Sequence, residues 1–154
     1  MKLPSQSSAV SPHLTVRDVK AAAELYAKAF GFAIKMMLPG QGGKIMHAQL
    51  NHGLSVIMVG PEAPERGMKA PVTTGLTTPV SLFIYVDDVD ATHKNALAAG
   101  LKELLPPGEQ FFGARTSVLL DPDGHQWMVA QHKKDVSPDQ MKEALKGRRG
   151  SPIG

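Results

Sequence analysis

The chain has 154 residues, 42% hydrophobic and 20% charged, and its 17 basic and 14 acidic side chains give a formal net charge of +3. This length and balance suit one globular domain or two small modules sharing a core, and they argue against extensive disorder. With no cysteine, disulfides, thiolate catalysis and cysteine-bound zinc are excluded, and no run approaches the ~20 apolar residues that span a bilayer.

In chain order, the opening residues MKLPSQSSAVSP contain no apolar leader, so a cytoplasmic protein is expected. The segment Ser11–Phe32 starts with an apolar-rich strand ending in Val16-Arg17-Asp18. An Ala-rich run of helical period follows and stops at Gly31. Asp18 stands where an N-cap accepts hydrogen bonds from the free amides of a first helical turn, and Gly31 where a left-handed C-terminal residue is tolerated. Three strands are expected next, at Ala33–Leu38, Lys44–Leu50 and Leu54–Val59, with turn formers at Pro39–Gly43 and Asn51–Gly53. Pro61–Pro79 is rich in Pro, Gly and Thr and reads as a long mobile connector, either a lid over a pocket or a plain linker.

Ser81–Leu101 then repeats the opening: a strand ending in Val86-Asp87-Asp88, an Ala-rich helix and a stop at Gly100. Strands follow at about Leu101–Leu105, Ala114–Leu120 and Gln126–Gln131, the last two joined by the turn Asp121-Pro122-Asp123-Gly124. The offset between Asp18 and Asp88 matches that between Gly53 and Gly124 to within one residue, so the repeat is held at two separate landmarks. Ser137, Pro138 and Gln140 stand at N-cap, N1 and N3 of a short helix ending near Gly147, with Arg148–Gly154 frayed. The basic residues at 132–134 and 146–149 read as a solvated tail. They lack the interleaved aromatics of a nucleic-acid platform, so no nucleic-acid partner and no membrane partner is expected.

The order β-α-β-β-β, twice, with the text HLTVRDVKAAAELYAKAFGF, IYVDDVDATHKNALAAG and LLDPDGHQWMVAQH, resembles the vicinal-oxygen-chelate superfamily of glyoxalases, bleomycin-resistance proteins and dioxygenases over about Ser11–Gln131. KIMHAQL, FFGARTSVLLDPDGHQW and DVSPDQM look closer still to its PhnB-like branch. The resemblance implies an α+β fold in which two βαβββ modules form an open-sided, cup-shaped barrel. It sets module 1 at about 10–60, the connector at 61–79, module 2 at about 80–132, and a C-terminal helix and tail at 133–154. It also implies homodimers. It does not choose among the superfamily's chemistries.

Metal-using members take one ligand from each of four strands. The matching positions here, counted from Asp18, Gly53, Asp88 and Asp121, are Ser11, Ile57, Ser81 and Met128. Zinc, iron and manganese want imidazole or carboxylate, so no metal cofactor is expected. The alternative is a divalent ion (Zn, Ni, Mn or Fe) at a shifted site of His13, His47 and Gln49, supporting a glyoxalase I-type lyase or a dioxygenase. His13 stands about two strand rises, ~6–7 Å, from the matching slot.

If the ligand face follows the family, alternation turns His13 and Thr15, then Phe83 and Tyr85, then Gln126 and Met128 into the cup. His47 and Gln49 share a face and are favoured inward. Arg115 shares a face with Ser117 and Leu119, and its direction, anion hook or surface ion pair, stays open. Trp127 should face the helices. The expected function is binding of a small, neutral or anionic, partly aromatic molecule in a metal-free cup. Whether a reaction follows is left open; a metal-independent one would use His13, His47 or Tyr85 as acid or base.

Overall fold

A computed structural model describes residues 7–147; the expected frayed tail at Arg148–Gly154 and the first six residues lie outside them. The elements are β1 (His13–Val16), α1 (Val19–Phe30), β2 (Ala33–Pro39), β3 (Ile45–His52), β4 (Ser55–Pro61), α2 (Pro71–Thr74), β5 (Ser81–Tyr85), α3 (Val89–Ala99), β6 (Lys102–Glu109), β7 (Ala114–Leu120), β8 (Gln126–His132) and α4 (Pro138–Lys146). They form an α+β fold of two βαβββ modules, with one four-stranded mixed sheet ordered β1-β4-β3-β2 and another ordered β5-β8-β7-β6.

The chain divides into two compact units. One takes the residues up to Pro79 together with the turn Pro122–His125; the other takes Val80–Asp121 and the chain from Gln126 on. In each sheet the first and last strands of the module pair in parallel, and the other pairs are antiparallel.

The helix ends follow from local chemistry. The carboxylates of Asp18 and Asp88 accept from the amides of Ala21 and Ala91, at 2.9 and 3.0 Å, and Gly31 and Gly100 close the two helices in left-handed conformations. Ser137 and Gln140 form a reciprocal capping box at α4.

In the first unit α1 packs Val19, Ala22, Ala23, Tyr26, Ala29 and Phe30 against one sheet face, where Leu14, Val16, Ala48, Leu50, Ile57 and Val59 are buried. In the second, Trp127, Val129 and Leu119 are completely buried on the face that meets α3.

The segment read as a mobile connector is folded. Ala63 and Met68 bridge, Pro64–Arg66 makes a 3-10 turn, and Pro71 starts α2. Glu62 accepts from the Ala70 amide at 2.9 Å, and Ala70 is fully buried. Backbone bonds, invisible in composition, hold it, among them the Val72 amide to the Asp123 carbonyl at 2.9 Å. The strand β6 also runs past Leu105, through Pro106 and Pro107 to Glu109, as edge position allows. In the first unit the 122–125 turn is tied down. Asp123 accepts from the Arg17 backbone amide and Nε at 3.0 and 2.9 Å, and His125 Nε2 bonds the Thr15 carbonyl at 2.8 Å.

Candidate functional site

Strand register builds the first unit's site. The parallel β1–β4 pair sets His13 beside Met58 and Thr15 beside Gly60. On the other side β3 sets Gln49 opposite Met58 and Ala48 opposite Val59, which leaves His47 across from Gly60 one step on. The edge strand adds Met36 beside Gln49 and Leu38 beside His47. Directly paired residues share a sheet face, so His13, Thr15, His47, Gln49 and Met58 lie together on the face opposite α1.

The position Ile57, counted as a family ligand slot, is not on that face. It pairs with Leu50, and both are buried on the helix side. Met58 takes the face position instead. The cause is the landmark: Met58 and Met128 hold matching register positions, beside His13 and Phe83, but stand five residues after Gly53 and four after Gly124. A one-residue difference reverses every side chain.

The His13 and His47 rings have centroids 6.2 Å apart and planes inclined by 29°. Gly60 makes this possible. A Cβ there would sit 2.7 Å from His13 Cε1 and 3.0 Å from Nε2, so the ring edge bearing Nε2 rests on the bare backbone between β1 and β3. Neither Gly60 nor Met58 was singled out from sequence; a lone glycine inside a strand, as in Val59-Gly60-Pro61, is the signal that could have marked the close approach.

Burial first, and then the neighbouring His47, push the His13 imidazole below its ordinary pKa. The folded state therefore binds this proton less tightly than the unfolded chain. The contribution to stability is full above the ordinary histidine value and is lost as pH falls through that value toward the lowered one. His47→Ala is expected to raise the His13 midpoint toward the ordinary value in an NMR titration. An unchanged or lower midpoint would refute the coupling.

In the second unit β5 and β8 set Ser81 beside Gln126, Phe83 beside Met128 and Tyr85 beside Ala130. Phe83 and Tyr85 meet edge to face at 5.2 Å, and they remain 45% and 57% exposed. An open cleft of about 350 Å³ at the carboxyl ends of these strands is lined by Tyr85, Val86, Asp87, Gln131 and His132.

Arg115 lies on the other face. It pairs with Gln131, and its neighbour Thr116 pairs with Ala130 on the Tyr85 face. Its Nε and Nη2 each donate to the Asp90 carboxylate at 2.8 Å, and Glu109 stands 3.5 Å away. This hydrogen-bonded pairing holds Asp90 below the usual carboxylate range. Of the two directions left open, the structure takes the ion pair, and Arg115 is not brought together with Phe83, Tyr85, Gln126 and Met128.

The donors at the superfamily's ligand positions are hydroxyl and thioether: Ser11 and, by register, Met58 in one unit, Ser81 and Met128 in the other. None can neutralise a doubly charged ion, and among the described residues no group of three His, Cys, Asp or Glu side chains is disposed to hold one. The residues do not fit a family-type divalent metal.

Residues 9–129 match the model of the Glyoxalase/Bleomycin resistance protein/Dioxygenase superfamily. The chain belongs to this superfamily. An uncharacterized protein of Mycobacterium bovis, Mb0911c, is 36% identical over 139 residues, covering 89% of this chain and 91% of that protein. The uncharacterized Rv0887c of Mycobacterium tuberculosis is equally similar, with 82% of its length covered. Among solved structures, protein PA1353 of Pseudomonas aeruginosa shares the fold with a TM-score of 0.65 at 24% identity, over 83% of this chain and all of that one. TioX of Micromonospora sp. ML1 follows with 0.61 at 26%, over 82% and 99%. The superfamily assignment fixes the fold and leaves the individual role to the side chains on the two sheets.

Proposed function

We propose that this superfamily member binds a small organic molecule without the help of a divalent ion. The candidate contacts are His13, Thr15, His47 and Gln49 on the first unit's sheet and, taken separately, Phe83, Tyr85, Gln126 and Met128 on the second unit's sheet. The observation that carries the reading is the composition of these faces: an imidazole pair, amides, a thioether and an open aromatic pair, with no carboxylate. Such a lining suits a neutral or anionic, partly aromatic ligand. Arg115, being engaged by Asp90, is left out of the contact set. We place the activity in a homodimer, to which the exposed Leu104 and Leu105 would contribute burial.

Thermal unfolding against a broad metabolite panel tests the proposal. A cognate ligand at 100 times its Kd adds about 2.7 kcal/mol, which raises Tm by several degrees. The rise should persist in EDTA and shrink in Tyr85→Ala or in His47→Ala. A panel without any shift, or a shift abolished by EDTA, would count decisively against it.

A second reading rests on the lowered His13 pKa: a neutral imidazole near pH 7 is a competent general base. It predicts turnover of the bound compound that His13→Gln removes while binding persists.

A further inference from the structure

We propose that His13, His47 and Met58 form a site for one soft, monovalent cation, Cu(I) or the chemically similar Ag(I). This goes beyond the small-molecule reading and does not rest on it; a metal titration and a metabolite screen fail separately.

Three observations converge on it. The first is placement. Register sets Met58 directly beside His13, two residues from Gly60 along the same strand face, while His47 faces Gly60 from β3. Three donors from three adjacent strands thus surround a single glycine. The second is ring geometry. The bare Cα of Gly60 lets the Nε2 edge of His13 rest over β4, and the two ring centroids lie 6.2 Å apart with planes inclined by 29°. An ion held ~2.0–2.1 Å from one nitrogen of each ring, at a wide N–metal–N angle, separates two imidazole centroids by about 6 Å. A tetrahedral angle would draw the rings closer. A wide angle with a third donor at the side is the low-coordinate arrangement of a soft, closed-shell monovalent ion, and the thioether on its three-bond stem can supply that donor.

The third observation is charge. No carboxylate lies on β1, β3 or β4 in this unit, so a dication would have no counter-charge. The solvation penalty rises with the square of the charge, so these imidazole and thioether donors favour a single positive charge over a double one. With no cysteine in the chain, no thiolate elsewhere competes for the ion.

The full-length protein is titrated anaerobically with Cu(I) against a chromophoric Cu(I) chelator, and with Ag(I) by calorimetry in chloride-free buffer. One equivalent per chain is expected to bind well above the background of the exposed methionines. The ring signals of His13 and His47 and the methyl signal of Met58 should move together in NMR spectra. Met58→Leu keeps the volume and should weaken binding by more than the roughly tenfold that even an outer-shell change costs a metal site. His13→Ala with His47→Ala should abolish it, and Met141→Leu should change nothing. Unaltered affinity in Met58→Leu, Zn(II) bound as tightly as Cu(I), or no equivalent above background would each overturn the proposal. Because Met58→Leu is conservative, its circular dichroism and Tm are expected to match the parent, so a lost site is read apart from a lost fold.

Discussion

Replacing Trp127 by alanine is expected to remove about 3–5 kcal/mol of stability, the range for truncating a fully buried large aromatic. The indole has no exposed surface, and its Nε1 donates to Asp121 Oδ2 at 3.0 Å inside the second unit. The substitution opens a void between β8 and α3 and removes the donor from a carboxylate that is itself buried. Trp127→Phe separates the two effects: it retains most of the packing and loses the hydrogen bond, so about 1–3 kcal/mol is expected. Trp127 is the only tryptophan, so unfolding of both variants should be followed in urea by far-ultraviolet circular dichroism. A loss under 1 kcal/mol for the alanine variant would contradict the packing described.

Gly113→Ala is expected to be nearly as damaging. Gly113 has φ +83, a conformation costing other residues roughly 1–2 kcal/mol. An added Cβ would also run into the Lys134 carbonyl oxygen and stand 2.8 Å from Val136 Cγ2. Overpacking against backbone adds about 1–3 kcal/mol, so a total near 3 kcal/mol is expected. The damage should be local in its first expression. The Lys133 and Lys134 amides both donate to the Gly113 carbonyl, at 2.9 and 3.1 Å, and their hydrogen exchange should accelerate in the variant. Unchanged exchange with unchanged Tm would refute the contact.

The fold was legible because its punctuation is local. The Asp18 and Asp88 caps, the Gly31 and Gly100 stops and the Ser137–Gln140 box each depend on residues within four positions, and such motifs survive tertiary context. The face of β5 and β8 was also legible, since Phe83, Tyr85, Gln126 and Met128 alternate with Leu82, Ile84, Trp127 and Val129 in two paired strands. What could not be read were pairings between distant segments. The reading of Ile57 treats Gly53 as the twin of Gly124, and the one-residue slip between these landmarks reverses the side chain. Arg115 has its carboxylate partner on α3, 25 residues earlier. The approach of His13 to His47 depends on two strand registers and on a glycine in a third strand. Pro61–Pro79 looks loose because its order comes from backbone bonds and from the side chains of Glu62 and Thr74, which composition does not reveal.

The parallel pairing of first and last strands sets a timetable for the nascent chain. The edge strand β1 has no neighbour until β4, more than forty residues later, has been made. The carboxylate that holds Arg17 arrives only with Asp123, 106 residues later. A ribosome that stalls before that turn would therefore expose a sheet lacking its final brace, and the earliest segment would be among the last to gain protection from a protease.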